Sequence, residues 1–202
     1  QTVLGLVEPQ SSGLGGGAFL IYYDAAAGRI VTLDGRETAP MDATPKLFLD
    51  DTGEPLAFFD AVVGGRSVGT PGTVMLLQEA HNRYGRLPWK DLFAPAEKLA
   101  RDGFAVSPRL ASLIAAEGDR LKTFEATASY FFGADGTPLK AGAVLKNPAY
   151  AQTLSAIATG RPERRRQRRR GRPAVRDQDH PHGCRRRRQC RRDAGGRGLP
   201  GL

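Results

Sequence analysis

The sequence predicts a mixed α/β chain in which the strands come first and the helices follow. Three observations predict it. Residues 18–23 (AFLIYY) and 29–33 (RIVTL) are short runs of aromatic and branched residues separated by a turn, as in a β-hairpin. From residue 70 onward, apolar residues recur near helical spacing, with Ser, Pro and Gly where helices start and stop. Little after residue 35 has the alternation or branched content of a strand, so the chain is expected to be mostly helical after residue 70.

Element by element, residues 1–8 (QTVLGLVE) read as the end of an apolar helix or strand. Residues 9–17 (PQSSGLGGG) are a loop by composition, with four glycines that permit positive φ. Residues 18–23 form a buried strand, 24–28 a turn and 29–33 the returning strand, giving a hairpin with a five-residue connection. Residues 34–40 (DGRETAP) leave the hairpin as a loop, and 41–70 are irregular, rich in Gly, Pro and Asp. Thr70-Pro71-Gly72-Thr73 starts a helix to about Tyr84, with Val74, Leu77, Ala80, His81 and Tyr84 near helical spacing and Gly85 as its C′ glycine. Pro88 sits in the first turn of the next helix, which runs to about Arg101 with Gly103 after it. Ser107-Pro108 opens a third, through about Glu117. A helix over 123–132, a turn at Asp135-Gly136 and a last helix over about 148–158 complete the order.

Charge divides the chain into two parts. Residues 1–160 carry 14 basic against 17 acidic side chains, a net of −3, whereas residues 161–202 carry 16 arginines, no lysine and four acids, a net of +12. The overall +9 therefore describes the tail alone. That tail has no aromatic residue, no Ile, one Val and two Leu, too little apolar surface to offset its ordering entropy, so it is predicted to be disordered. Both cysteines, Cys184 and Cys190, lie in it. A cysteine-free first part suits an exported protein and a cytosolic one alike. No apolar run approaches the roughly 18–20 residues of a membrane span. The opening residues, Gln1 to Gly5, have neither a basic n-region nor a start Met, and read as a truncated N-terminus.

Few motifs carry chemistry. The stretch Ser11-Ser12-Gly13-Leu14-Gly15-Gly16-Gly17 lacks the Gly-Lys-Ser/Thr ending of a phosphate loop and precedes a strand, so close backbone packing is the favoured reading over nucleotide binding. Asp34-Gly35-Arg36-Glu37-Thr38 places a guanidinium at a strand end, where its planar fork suits a carboxylate ligand, with Glu37 able to pair with it. On local grounds alone a solvated surface role is the favoured reading for Arg36. Thr70 and Thr73 occupy loop and helix-start positions that suit capping. His81 reads as a helix-face residue and not a base.

These blocks resemble the γ-glutamyltranspeptidases. The resemblance is carried by VEPQSSGLGGGAFLIYYD (residues 7–24), DGRETAP (34–40) and VGTPGTVMLLQEAHNRYGRLPWKDLFAPAEKLARDGFAVS (68–107), and more loosely by YFFGADGTPLKAGAVLKNPAYAQTL (130–154). It covers about 150 residues, in order, and marks residues 1–160 as a piece of the large subunit. The resemblance implies a partial αββα sandwich of the N-terminal-nucleophile hydrolase type. It also implies a precursor that cleaves itself into large and small subunits, and an N-terminal Thr nucleophile on the small subunit. That Thr attacks γ-glutamyl compounds such as glutathione, and the γ-glutamyl-enzyme passes its acyl group to water or an acceptor amino acid. No cofactor or metal is implied. By resemblance Arg36 grips the glutamyl α-carboxylate, and Glu37 supports it without being catalytic. No Thr of this chain has the surroundings of the family's processing site, so the chain alone is expected to be inactive. A related cephalosporin-type β-lactam acylase is the alternative within the scaffold. Family members are typically periplasmic or extracellular.

Residues 161–202 (RPERRRQRRRGRPAVRDQDHPHGCRRRRQCRRDAGGRGLPGL) depart from that family. A nucleic-acid-binding arm would share the charge, but this segment has neither Lys nor aromatic residues for stacking, so no specific nucleic acid is expected as a partner. A zinc site from His180, His182, Cys184 and Cys190 has the ligand types in a C-x5-C spacing foreign to the usual structural patterns. The favoured reading is a frame slip in a GC-rich gene: shifting CGN arginine codons by one base yields Ala, Gly, Val, Asp or Glu.

Overall fold

The structure is a computed structural model that describes residues 1–160 and the backbone of residues 176–180. After a single helical turn, α1 (Leu4–Val7), the chain forms the antiparallel hairpin β1 (Ala18–Asp24) and β2 (Arg29–Gly35), paired from Ala18↔Gly35 to Asp24↔Arg29. Asp24 itself pairs with Arg29, so the connection is residues 25–28, one fewer than expected. Its turn is held by the Ala27 N–H donating to Asp24 Oδ1 at 3.1 Å and by Gly28 at φ +62°.

Alternation gives this sheet two unlike faces. On one, Val31 and Leu33 are buried against Leu76 of α3 (Thr73–Tyr84), and Tyr22 stacks on Tyr84 with ring centroids 3.9 Å apart. On the other, Phe19, Ile21 and Tyr23 stand 62–73% exposed in a row. Among the described residues the hairpin is thus covered by a helix on one side only.

The remaining helices make a second body of core. A 3₁₀ turn (Trp89–Leu92) leads into α4 (Ala94–Asp102), which lies against α8 (Pro148–Thr159). Fully buried Ala96 and Leu154 pack there with Phe93 and Leu14, and Trp89 Nε1 donates to the Ile157 carbonyl at 3.2 Å. Between α4 and α8 run the two-residue strand β3 (Phe104–Ala105), α5 (Pro108–Ala116), α6 (Gly118–Leu121), α7 (Glu125–Phe131) and β4 (Val144–Leu145), with β3 and β4 paired. Leu6, Phe104, Val106, Leu110, Ile114, Phe132 and Leu145 form the largest cluster. Side-chain caps start α5 and α8: Ser107 Oγ accepts from the Leu110 N–H at 3.0 Å, and Asn147 Oδ1 accepts from the Tyr150 N–H at 2.9 Å.

Several expectations are corrected. The helix expected from Pro88 to Arg101 is broken in two, because Pro95 near the start of α4 has no N–H and its ring would collide with the carbonyl four residues earlier. Gly85 ends α3 with φ −68°, so it is no left-handed cap; a Cβ there would sit 2.6 Å from the His81 carbonyl oxygen. None of the glycines in residues 13–17 has positive φ. The irregular stretch 41–70 contains a short helix, α2 (Phe58–Val62), and a 3₁₀ turn (Gly65–Ser67).

Residues 176–180 also differ from the expected disorder. They form β5 (Arg176–His180), antiparallel to β2 from Ile30↔His180 to Asp34↔Arg176, so the sheet order is β1-β2-β5. The outer edge of β2 offers backbone donors and acceptors that any extended segment satisfies, whatever its side chains. The expectation for the rest of residues 161–202, including His182, Cys184 and Cys190, lies outside the described residues.

Candidate functional site

Three segments converge where β2 ends. The first is the glycine loop before β1. Its Gly16 carbonyl accepts from the backbone N–H groups of Gly72 and Thr73, both at 3.1 Å, and from the Thr73 hydroxyl at 2.9 Å. Thr73 is fully buried and spends its hydroxyl on this tie, so it does not cap α3 as its position suggested; Gly72 is the N-cap residue and offers no side chain. The second segment is residues 35–38, running from the end of β2. The third is residues 69–72, joined to the second by reciprocal backbone hydrogen bonds between Thr38 and Thr70 at 3.3 and 2.8 Å.

The glycines make this convergence possible by having no side chain. A Cβ on Gly17 would lie 2.7 Å from Arg36 Cα and from the Glu37 nitrogen. A Cβ on Gly72 would lie 2.8 Å from the Gly35 carbonyl carbon and 2.9 Å from the Arg36 carbonyl oxygen. Both are backbone contacts with no flexible end to move aside. Gly13 and Gly15 have open space instead, so close packing holds for only part of the glycine run.

The result is a cavity of about 530 Å³ with Arg36, Glu37, Leu47, Phe48, Arg66 and Gly69 in its wall. Arg36 Nη2 lies 3.1 Å from Glu37 Oε2, and its guanidinium carbon is 5.9 Å from the Phe19 ring centroid. The Arg36 N–H donates to Asp34 Oδ1 at 3.0 Å, which fixes the backbone where the strand becomes loop. The Arg36 side chain remains 53% exposed, so its fork is held at the root and open to solvent at the tip. Among the described residues Glu37 is the one carboxylate in the wall. The loop behind the cavity is pinned by Asp50, whose carboxyl is held below the usual carboxylate range, chiefly by the Thr52 hydroxyl and then by backbone N–H groups including that of Glu54.

The structure therefore brings together Arg36 and Glu37, both singled out from sequence, and adds Arg66 and Phe48 from the stretch read as irregular. Nothing local marks those two; the Thr38–Thr70 pairing brings their segment to the end of the hairpin. His81 is apart from the cavity. Its Nε2–H donates to the Leu87 carbonyl at 2.8 Å and its ring meets Trp89 edge-on, a structural role that fits a helix-face residue. Among the described residues there is no group of three His, Cys, Asp or Glu side chains placed to hold a metal, and no helix long and apolar enough to cross a membrane.

Comparison with known proteins gives this arrangement a lineage. Glutathione hydrolase 3 of Arabidopsis thaliana is 41% identical over 155 residues, which is 77% of this chain and 23% of that protein. The glutathione hydrolase proenzyme of Bacillus subtilis (strain 168) is 38% identical over 157 residues, 78% of this chain and 26% of the proenzyme. The chain thus spans about a quarter of the length of these curated relatives. Among solved structures, the γ-glutamyltranspeptidase of Helicobacter pylori superposes with a TM-score of 0.73 at 32% identity, covering 78% of this chain and 45% of that one. A cephalosporin acylase from Bacillus halodurans superposes with a TM-score of 0.63 at 29% identity, over 78% of this chain and 29% of that one. A sequence model of the family described as gamma-glutamyltranspeptidase matches residues 1–164. By that match and by these relatives, the chain belongs to the γ-glutamyltranspeptidase family.

Proposed function

We propose that this chain supplies the glutamyl-binding wall of an enzyme that hydrolyses or transfers γ-glutamyl groups of glutathione and related compounds. The observation that carries the reading is Arg36: a guanidinium steadied by Glu37 at 3.1 Å, at the mouth of a cavity built at a strand end, in a family whose relatives are named glutathione hydrolases. A planar fork binds a carboxylate through two parallel hydrogen bonds, which fixes the direction of the rest of the ligand as well as its position. Holding the α-carboxylate at Arg36 sets the γ-carbonyl a fixed number of bonds away, where a nucleophile can be placed against it.

That nucleophile is proposed to be the N-terminal Thr of the small subunit, a partner of this chain from the same precursor. Its α-amine takes the hydroxyl proton as the oxygen attacks the γ-carbonyl carbon, and the proton passes to the departing amine. The resulting γ-glutamyl ester is opened by water or by the amine of an acceptor amino acid, with backbone N–H donors stabilising the oxyanion in each step. The exposed row of Phe19, Ile21 and Tyr23 supports the sandwich reading, because it leaves a sheet face for the second sheet of an αββα fold to cover. An exported site, periplasmic or extracellular, is proposed from the family alone.

The likeness to the Bacillus halodurans cephalosporin acylase favours a second reading, β-lactam side-chain cleavage on the same scaffold. A chimera separates the two. In it, the matched segment of the Bacillus subtilis proenzyme is replaced by the corresponding residues of this chain. The chimera should mature and release p-nitroaniline from γ-glutamyl-p-nitroanilide, while the 202-residue chain alone should release none above a buffer blank. A matured chimera that cleaves glutaryl cephalosporins and ignores the γ-glutamyl anilide would turn the reading to the acylase.

A further inference from the structure

The cavity wall holds a second guanidinium. Arg66 sits in the 3₁₀ turn Gly65–Ser67, which is tightly built. Gly64 enters the turn at φ +102°, Ser67 Oγ donates to the Val62 carbonyl at 2.6 Å, and the Val68 N–H donates to the Gly65 carbonyl at 3.2 Å. The segment that follows is tied by Thr70 to Thr38, two residues from Arg36. Arg66 is therefore fixed at its backbone relative to Arg36, and the two side chains line one cavity.

Their electrostatic situations differ. Arg36 is paired with Glu37, the one carboxylate of the wall among the described residues. Arg66 Nη1 donates to the Leu47 carbonyl at 3.1 Å, and that neutral oxygen is its one partner among the described residues. A guanidinium has five N–H donors, so most of Arg66's fork is unspent. Among the described residues the wall carries two cations against one anion, and the surplus charge belongs to Arg66. The cavity is open to solvent, and at about 530 Å³ it has room for a small molecule.

Resting on the γ-glutamyl reading, we propose that Arg66 is a specificity residue that binds a second carboxylate, carried on the amine side of the γ-glutamyl bond. The favoured substrates are then γ-glutamyl amino acids and peptides with a free C-terminal carboxylate, anchored by Arg36 at one end and Arg66 at the other. γ-Glutamyl amides of uncharged amines engage Arg36 alone. Holding the loop at Leu47 uses one donor and a neutral acceptor; the positive charge is what this role adds.

The test compares γ-glutamylglycine with γ-glutamylglycinamide, which differ only in that terminal charge. Their affinities for the 202-residue chain are measured by calorimetry or NMR titration. Wild type should prefer the dicarboxylate by about fivefold, a value kept modest by the exposure of Arg66. In Arg66→Gln, which keeps a polar side chain and loses the charge, the ratio should fall toward one, and Arg66→Lys should restore part of it. Circular dichroism of each variant checks that the fold is kept. A wild-type ratio near one, or a preference that survives Arg66→Gln, overturns the role of Arg66 while leaving Arg36 and the γ-glutamyl reading intact. Binding of both ligands that is unchanged by Arg36→Ala, or no binding of either by wild type, overturns the γ-glutamyl reading and this proposal with it.

Discussion

Arg36→Lys, in a chimera that carries the small-subunit nucleophile, should lose most of its γ-glutamyl transfer although the positive charge is kept. An ammonium is a point charge on a flexible stem and cannot reproduce two parallel hydrogen bonds from a planar fork. Truncating one partner of a buried charged pair costs about 2–5 kcal/mol. The Arg36 side chain is half exposed before ligand covers it, so the lower end applies, and kcat/KM should fall by roughly 30-fold. Activity of the Lys variant within about twofold of the parent would show that Arg36 does not hold the substrate. Glu37→Gln should be milder, because it removes the partner that steadies the fork and leaves the fork itself.

Gly72→Ala should be the most damaging of the small substitutions. The added methyl meets the Gly35 carbonyl and the Arg36 carbonyl oxygen, so relief requires the strand end to move. Overpacking of this kind costs about 1–3 kcal/mol, and here it also displaces the residue proposed to bind substrate. Stability from urea unfolding and affinity for γ-glutamylglycine should therefore fall together. Gly13→Ala is the control: its Cβ meets nothing within 4 Å, and its effect should stay within about 0.5 kcal/mol. Equal effects at the two positions would contradict the close-packing account of the glycine loop.

What the sequence makes legible follows from how local each signal is. The hairpin is legible because branched and aromatic residues cluster on either side of a turn, and the start of α5 because Ser107-Pro108 is a compact local signal. Arg36 and Glu37 stand at the end of that hairpin, so their neighbourhood can be read with it. Arg66 escapes, since its place in the cavity depends on a pairing between Thr38 and Thr70 across 32 residues of chain with no periodicity of their own. The pairing of β3 with β4 escapes for the same reason: two residues each, brought together from 104 and 145. The break before α4 was legible in Pro95 and is hidden only by the helical spacing around it. Thr73 shows the opposite hazard, a residue in capping position whose hydroxyl is claimed by Gly16, 57 positions away.

The central claim is that Arg36 takes the α-carboxylate of a γ-glutamyl ligand, and NMR of the Arg Nε–H groups in the 202-residue chain tests it most directly. Two ligands are titrated: γ-glutamylglycine, and γ-aminobutyrylglycine, which retains the amine and the glycine carboxylate but lacks the α-carboxylate. The Arg36 signal, assigned by its loss in Arg36→Lys, should shift saturably with the first ligand and stay near its starting position with the second. An Arg36 signal that responds to both ligands alike, or to neither, would contradict the account.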